Sequence, residues 1–187
     1  MKYYTGVGSR NTPQEVLDIM ILIGEYLAKG EYCLRSGGAA GADKAFETGC
    51  DNANGNKRIY VPWNGFQGNT IDNEHIFLGV DTHSMKIASK HHPAWSRVGQ
   101  AGQKLMARNT YQVLDWDLHR TKLEAEASML ICWTPDGAIN QTTIKTGGTG
   151  QAIRIAKAYG IKVWNLQRQD HMDKIMTKIM DHQNKRK

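Results

Sequence analysis

An α/β fold, a three-layer sandwich built on a mainly parallel sheet, is what this sequence predicts, and three observations predict it. Short runs rich in β-branched and aromatic residues alternate with longer segments of helical periodicity. Glycine-rich loops join the two kinds of segment at Gly6-Val7-Gly8-Ser9-Arg10, Ser36-Gly37-Gly38-Ala39 and Thr146-Gly147-Gly148-Thr149-Gly150. The 187 residues are 40% hydrophobic and 22% charged, which suits one folded domain with its own core and argues against a disordered chain. Strand–helix alternation of this kind implies parallel strands joined by right-handed crossovers.

The first strand is predicted at 3–7, where Tyr3, Tyr4, Thr5 and Val7 favour extended backbone. Thr12-Pro13-Gln14-Glu15 reads as a helix start, with Thr12 as the N-cap, Pro13 in the first turn and Glu15 closing a capping box. Leu17, Met20, Ile21, Ile23, Gly24 and Leu27 form the apolar stripe of that helix, which Lys29-Gly30 ends. A second strand is expected at 32–34, a second helix over 39–52 closed by Asn54-Gly55, and a third strand at 58–62 stopped by Pro62.

Regularity fades over 63–82, where a turn-rich segment carrying Trp63 and Phe66 reads as a lid or substrate-facing loop, or as a surface loop pinned by its aromatics. A short helix is predicted at 84–91, before Pro93, and a longer one at 100–118 with Leu105, Met106, Val113 and Leu114 on its apolar side. The nearly continuous apolar run 127–133 is a buried strand, and Ile161 to Leu166 supply the last one. Between them, a helix containing Ala152, Ile153, Ile155 and Ala156 ends at Tyr159-Gly160. A terminal helix at 170–180 presents Met172, Ile175, Met176 and Ile179 as a core stripe.

Lys plus Arg number 24 against 18 Asp plus Glu, and the formal charge of +6 favours anionic partners, although part of the excess lies in the tail Asn184-Lys185-Arg186-Lys187. Cys33, Cys50 and Cys132 lack Cys-x-x-Cys spacing and read as buried thiols of a reducing compartment. His75, His83, His91 and His92 make no metal-binding spacing, so no metal is expected. The amino-terminal residues lack the apolar core of a secretion signal, and no run approaches about 18 consecutive apolar residues. A cytoplasmic protein with no membrane association is the expectation.

The glycine loops carry the functional signal. Small residues let backbone turn sharply and approach a bound group, and the first N–H groups of a helix favour an anion. The run Arg35-Ser36-Gly37-Gly38-Ala39-Ala40-Gly41-Ala42-Asp43 reads as a phosphate-binding corner; the alternative gives its glycines only to close helix–sheet packing. Its spacing matches neither G-x-G-x-x-G nor the nucleotide-triphosphate pattern ending in Gly-Lys-Ser/Thr. All three loops stand at strand-to-helix transitions, so each can reach the edge of a parallel sheet where ligands bind.

Gly-x-Gly-Ser-Arg after the first strand, Ser-Gly-Gly-Ala-x-Gly-Ala-Asp after the second, Ala-Arg-Asn in a mid-chain helix and Gly-Gly-Thr-Gly before a helix ending Tyr-Gly-Ile-Lys-Val are similar to the SLOG superfamily of Rossmann-like domains. That superfamily includes the domain of DNA-processing protein A, the LOG nucleoside-monophosphate phosphoribohydrolases and sensors of nucleotide-derived signals. The resemblance spans about residues 3–166. It implies a Rossmann-like sandwich in which Gly8, Ser9 and Arg10 contact phosphate or ribose. It further implies that Ser36, Gly37, Gly38 and Asp43 frame the second side, that Gly147, Gly148 and Thr149 hold phosphate, and that Arg108-Asn109 faces the ligand.

The chain departs from the hydrolase pattern Pro-Gly-Gly-x-Gly-Thr-x-Glu-Glu, because the two glutamate positions hold Ile153 and Arg154. Cleavage of an N-glycosidic bond then needs another carboxylate. Asp43 and Glu47 are the substitutes, since their four-residue spacing puts them on one helix face; the alternative leaves Asp43 at the helix start and Glu47 in solvent. Asp136 is a weaker candidate. Trp63, Phe66 or Trp133 are candidates to stack on the base.

The expected function is therefore binding of a nucleoside phosphate or ADP-ribose-like nucleotide, with N-glycosidic hydrolysis supported by Asp43, Glu47 and Arg108 and no cofactor. One alternative is a non-enzymatic sensor or sequestering protein for a signalling nucleotide. Another is a single-stranded DNA-binding protein, which needs a basic groove with aromatic platforms. SLOG relatives often pair, so a homo-oligomer is a further expectation.

Overall fold

A computed structural model describes residues 2–115 and 128–184. Its elements run β1 (Lys2–Gly6), α1 (Gln14–Lys29), β2 (Tyr32–Ser36), α2 (Ala42–Asn52), β3 (Lys57–Val61), β4 (Ile76–Leu78), α3 (Thr82–Lys90), α4 (Gln100–Leu114), β5 (Ser128–Cys132), α5 (Thr149–Ala158), β6 (Lys162–Asn165) and α6 (Gln169–Asn184). The six strands form one sheet, parallel throughout, in the order β4-β3-β2-β1-β5-β6. Helices α1, α2 and α6 pack together on one side, and α3, α4 and α5 on the other. The fold is a Rossmann-like three-layer sandwich.

Each side of the sheet has its own apolar core. Successive strand residues point to opposite faces: Ile59 and Val61 of β3 join Tyr4, Met20 and Phe46 in one cluster, while Tyr60 between them joins Leu130, Val113 and Ile153 in the other. Burial on both faces explains why β5 reads as a nearly continuous apolar run. A side chain such as Phe46, with no exposed surface, gains about 1.5–3 kcal/mol from that burial.

The chain builds outward from β1 through β2, β3 and β4, then returns to the other side of β1 to lay down β5 and β6. The connection after β1 leads to α1 on one face, and that after β5 leads to α5 on the other. A crevice opens where these connections part, at the carboxyl ends of β1 and β5. Beyond the strand, the Val7 N–H donates to the Ile131 carbonyl at 3.2 Å and the Ser9 N–H to the Trp133 carbonyl at 3.3 Å, holding the first glycine loop along this crevice.

Several expectations are corrected. The irregular segment 63–82 contains β4, a three-residue edge strand paired with β3 through Ile59↔Ile76, Tyr60↔Phe77 and Val61↔Leu78. Helix α1 begins at Gln14, and Thr12 makes no side-chain cap; its hydroxyl donates instead to the Ser9 carbonyl at 2.7 Å. Helix α3 begins two residues earlier than predicted because Asp81 and Ser84 form a reciprocal capping box. Helix α4 ends at Leu114, where Asp115 turns the chain with φ 66°; positions 116–118 of the predicted helix and Ala127 of the predicted strand lie outside the described residues. Met172, Ile175 and Met176 of α6 pack half-buried against the first core and Ile179 is buried, as the stripe predicts. Among the described residues no helix is long and apolar enough to cross a membrane.

Candidate functional site

A cavity of about 420 Å³ occupies the crevice, bounded by the first and third glycine loops, the start of α2 and one face of α4. Helix α4 contributes Leu105, Arg108, Asn109 and Gln112, spaced as one helical stripe, together with Met106. Arg10 and Lys145 stand exposed at its rim. Among the described residues, Asp43 supplies the one carboxylate that lines it.

Asp43 is buried in the first turn of α2, where the Ala39 N–H lies 3.4 Å from its Oδ2. Burial pushes its carboxyl above the usual carboxylate range, and this outweighs the opposing pull of Arg108 and of the N–H groups of Ala39, Gly37 and Gly8. The Arg108 Nη1 donates to the Gly37 carbonyl at 2.6 Å and reaches the Asp43 Oδ2 at 3.5 Å. Burial lowers the guanidinium below its ordinary value despite Asp43, and Arg10 adds a repulsive charge. The Phe66 ring lies under the guanidinium, 5.7 Å from centroid to carbon.

Close approach explains two of the glycines. A side-chain carbon on Gly37 would sit 1.4 Å from the Arg108 Nη1 and 2.4 Å from the Gln112 Nε2. One on Gly8 would meet the Ala42 side chain at 2.6 Å. Glycine is therefore required for the first loop to lie on α2 and for Arg108 to enter beside the second loop.

The third loop is braced from two sides. Asp136 accepts hydrogen bonds from the Thr143 hydroxyl at 2.8 Å and the Thr146 hydroxyl at 2.5 Å, and these bonds hold its carboxyl below the usual range against the opposing effect of burial. Asn109 Nδ2 donates to Gln151 Oε1 at 3.1 Å and reaches the Gly148 carbonyl at 3.5 Å, so α4 fixes the start of α5. Gly147, Gly148 and Thr149 consequently bring the amino end of α5, the positive end of its dipole, to the cavity wall.

Of the residues singled out from sequence, Gly8, Ser9, Arg10, Asp43, Arg108, Asn109, Gly147, Gly148 and Thr149 line this cavity. Others do not. Ser36 is buried and donates from its hydroxyl to the Gly6 carbonyl at 2.7 Å, tying β2 to β1. Gly37 acts through its carbonyl on Arg108, and the Gly38 carbonyl faces Asn69 Nδ2 at 3.3 Å.

Glu47 does not line the cavity, which corrects the expectation that it works beside Asp43. One turn beyond Asp43, it is claimed by Lys57 of β3 at 2.9 Å and Lys44 at 3.2 Å, which hold its carboxyl low against burial. The aromatics also stand elsewhere: Trp63 is exposed, Phe66 backs Arg108, and Trp133 donates from its indole N–H to Gln167 at 2.8 Å. Ile153 is core, and Arg154 binds the His91 carbonyl and Thr142.

Sequence reasoning missed Gln112 and Lys145. Gln112 was legible as the residue four positions beyond Arg108 on the same helix face. Among the described residues, no group of three or more His, Cys, Asp or Glu is placed to hold a metal ion. The arrangement as a whole, with Arg10, Arg108, Lys145 and a helix amino end around one buried carboxyl, can hold an anion next to an acid–base group. Comparisons with protein-family models, curated proteins and solved structures return no match.

Proposed function

We propose that this protein binds a nucleoside phosphate or ADP-ribose-like nucleotide in the crevice and hydrolyses its N-glycosidic bond. The observation that carries the reading is the placement of Asp43, a buried carboxyl raised by burial, in a cavity whose rim and far wall are cationic or rich in backbone N–H groups. The resemblance of the glycine loops to the SLOG superfamily supports the same ligand class.

In this reading the phosphate sits on Gly147-Gly148-Thr149 with Arg10 and Lys145 at its edge, and the sugar lies over Asp43. As the bond between the anomeric carbon and the base nitrogen breaks, the ionised carboxylate stabilises the positive charge developing on the sugar. Water then adds its oxygen to that carbon and gives its proton to Asp43, which passes it to the departing base. A carboxyl raised by burial takes up a proton more readily than an ordinary carboxylate and can return it to the leaving base. Arg108 orients Asp43 through the 3.5 Å contact.

A second reading, a sensor that retains its nucleotide intact, is favoured by the identity of α5, whose Ile153 and Arg154 bring no carboxylate to the cavity. Single-stranded DNA binding draws less support, because among the described residues no aromatic side chain lines the cavity to stack on bases.

The test is incubation with ribo- and deoxyribonucleoside monophosphates, NAD and ADP-ribose, followed by chromatography for free base and for ligand retained on the protein. Base release by the wild type, reduced about 10²–10⁴-fold in Asp43→Asn with binding retained, is expected. Retention without release establishes the sensor reading instead, and neither release nor retention overturns both.

A further inference from the structure

The far end of the α4 stripe carries a group the proposed chemistry does not use. Gln112 is 1% exposed and lines the cavity, yet neither its Nε2 nor its Oε1 has a hydrogen-bond partner among the described residues. The Nε of Arg108, one turn away on the same face, is likewise buried and unpartnered. Buried polar groups in folded proteins are nearly always paired, so a carboxamide with neither end paired, on a residue of the cavity wall, has the character of a group that a ligand completes.

We propose that Gln112 reads the hydroxyl groups of the bound sugar and makes the site selective for ribo- over 2-deoxyribo-ligands, a proposal that rests on the nucleotide reading above. Two features of the site point to the sugar. First, Gln112 Nε2 and Arg108 Nη1 both pack beside Gly37, and Arg108 Nη1 reaches Asp43 at 3.5 Å, so one guanidinium links the carboxamide to the carboxyl proposed to act on the sugar. Second, Asn109 marks the phosphate end through its contact with the Gly148 carbonyl, and Gln112 lies three residues further, about 4.5 Å along the helix axis. That offset suits the span of a pentose attached to the phosphate.

The chemistry matches as well. Each sugar hydroxyl both donates and accepts, and a pair of adjacent hydroxyls can donate to Gln112 Oε1 and the Asp43 carboxylate while accepting from Gln112 Nε2 and Arg108 Nε. A 2-deoxy sugar leaves part of this buried set unpaired, which is how a polar site rejects an analogue that lacks one hydroxyl. The walls nearer the phosphate loop, Leu105 and Met106, offer no such pairing.

Base-free probes test this directly. Dissociation constants of ribose 5-phosphate, 2-deoxyribose 5-phosphate and inorganic phosphate are measured by calorimetry on the wild type and on Gln112→Met, a variant of similar volume without the amide. The wild type is expected to bind ribose 5-phosphate at least about tenfold more tightly than its 2-deoxy counterpart. Gln112→Met is expected to lose that preference while keeping its affinity for inorganic phosphate within about twofold. Equal binding of the two sugars by the wild type overturns the role of Gln112 and leaves the phosphate cradle standing, whatever the variant does. A preference preserved in folded Gln112→Met assigns the selectivity elsewhere and overturns it too. Failure of the wild type to bind any of the three probes overturns the nucleotide reading itself.

Discussion

Two buried aspartates, Asp115 and Asp43, each face arginine, and their surroundings drive them in opposite directions. Asp115, at the end of α4, accepts hydrogen bonds from Arg58 Nη1 on both oxygens at 2.7 and 2.6 Å and from the Tyr60 hydroxyl at 2.5 Å, with Arg35 at 3.9 Å. The Tyr3 ring flanks both guanidinium groups at 5.3 and 5.2 Å. Burial alone would raise the Asp115 carboxyl, but Tyr60, Arg35 and Arg58 together hold it below the usual carboxylate range. At Asp43 burial wins, because a single arginine at 3.5 Å and a few backbone N–H groups do not replace the lost water.

The difference separates a fully compensated buried charge from an under-compensated one. Asp115 is partnered by Arg58 and Tyr60 of β3 and by Arg35 of β2, and these contacts tie the end of α4 to the sheet. The Asp43 centre is left incomplete, with Arg108 Nε and the Gln112 amide buried near it without partners among the described residues. Incomplete pairing costs stability in the free protein, and a ligand that supplies the missing partners recovers it on binding.

The largest effect is expected at the closed centre. Asp115→Ala removes the acceptor shared by Arg58 and Tyr60 and a counter-charge of Arg35, and is expected to lose about 3–5 kcal/mol in urea unfolding. A loss under about 1 kcal/mol would show that the cluster is replaceable and would break the comparison.

An intermediate effect is expected where the open centre is geometrically tightest. In Gly37→Ala the added carbon overlaps the Arg108 Nη1, so the guanidinium must leave its place. Stability falls by about 1–3 kcal/mol and affinity for ribose 5-phosphate by at least about tenfold. Wild-type affinity in this variant would separate Arg108 from ligand binding.

The smallest effect is a difference in sign with pH. The depressed Asp115 contributes stability that is present above its unfolded value of about 3.9 and is lost as pH falls through its folded value. The raised Asp43 does the reverse: its contribution is present below about 3.9 and is lost as pH rises through its folded value. Asp43→Asn, a mimic of the neutral acid, is therefore expected to melt a few degrees above the wild type at pH 7 and with it at acid pH. A variant that melts lower at pH 7 would mean that the ion pair with Arg108 is net stabilising and would erase the contrast.

Much of this architecture was legible in the amino-acid order. Strand and helix alternation, the apolar stripes of α1 and α6 and the buried β5 are local periodicities, and the sheet only has to satisfy them. The three glycine loops were legible for the same reason, since glycine marks places where no side chain fits. Strand β4 was not, because three residues, Ile76-Phe77-Leu78, carry too little pattern to announce an edge strand whose pairing comes from distant β3. The helix start at Thr12 was misread because the Ser9 carbonyl, on the turn before it, takes the hydroxyl that a cap would use.

Within the site, sequence by itself determined the loop chemistry and the one-face spacing of Arg108 and Asn109. Only tertiary structure decided which carboxylate stays in the cavity: Asp43 and Glu47 share a helix face, but Lys57, delivered by β3, withdraws Glu47 into an ion pair. Tertiary packing likewise decided that Phe66 would back Arg108, that Trp133 would bond Gln167 and that the Gln112 amide would be buried without a partner among the described residues. Spacing along a chain fixes which side chains share a face, whereas burial and the identity of the opposing charge depend on segments dozens of residues away.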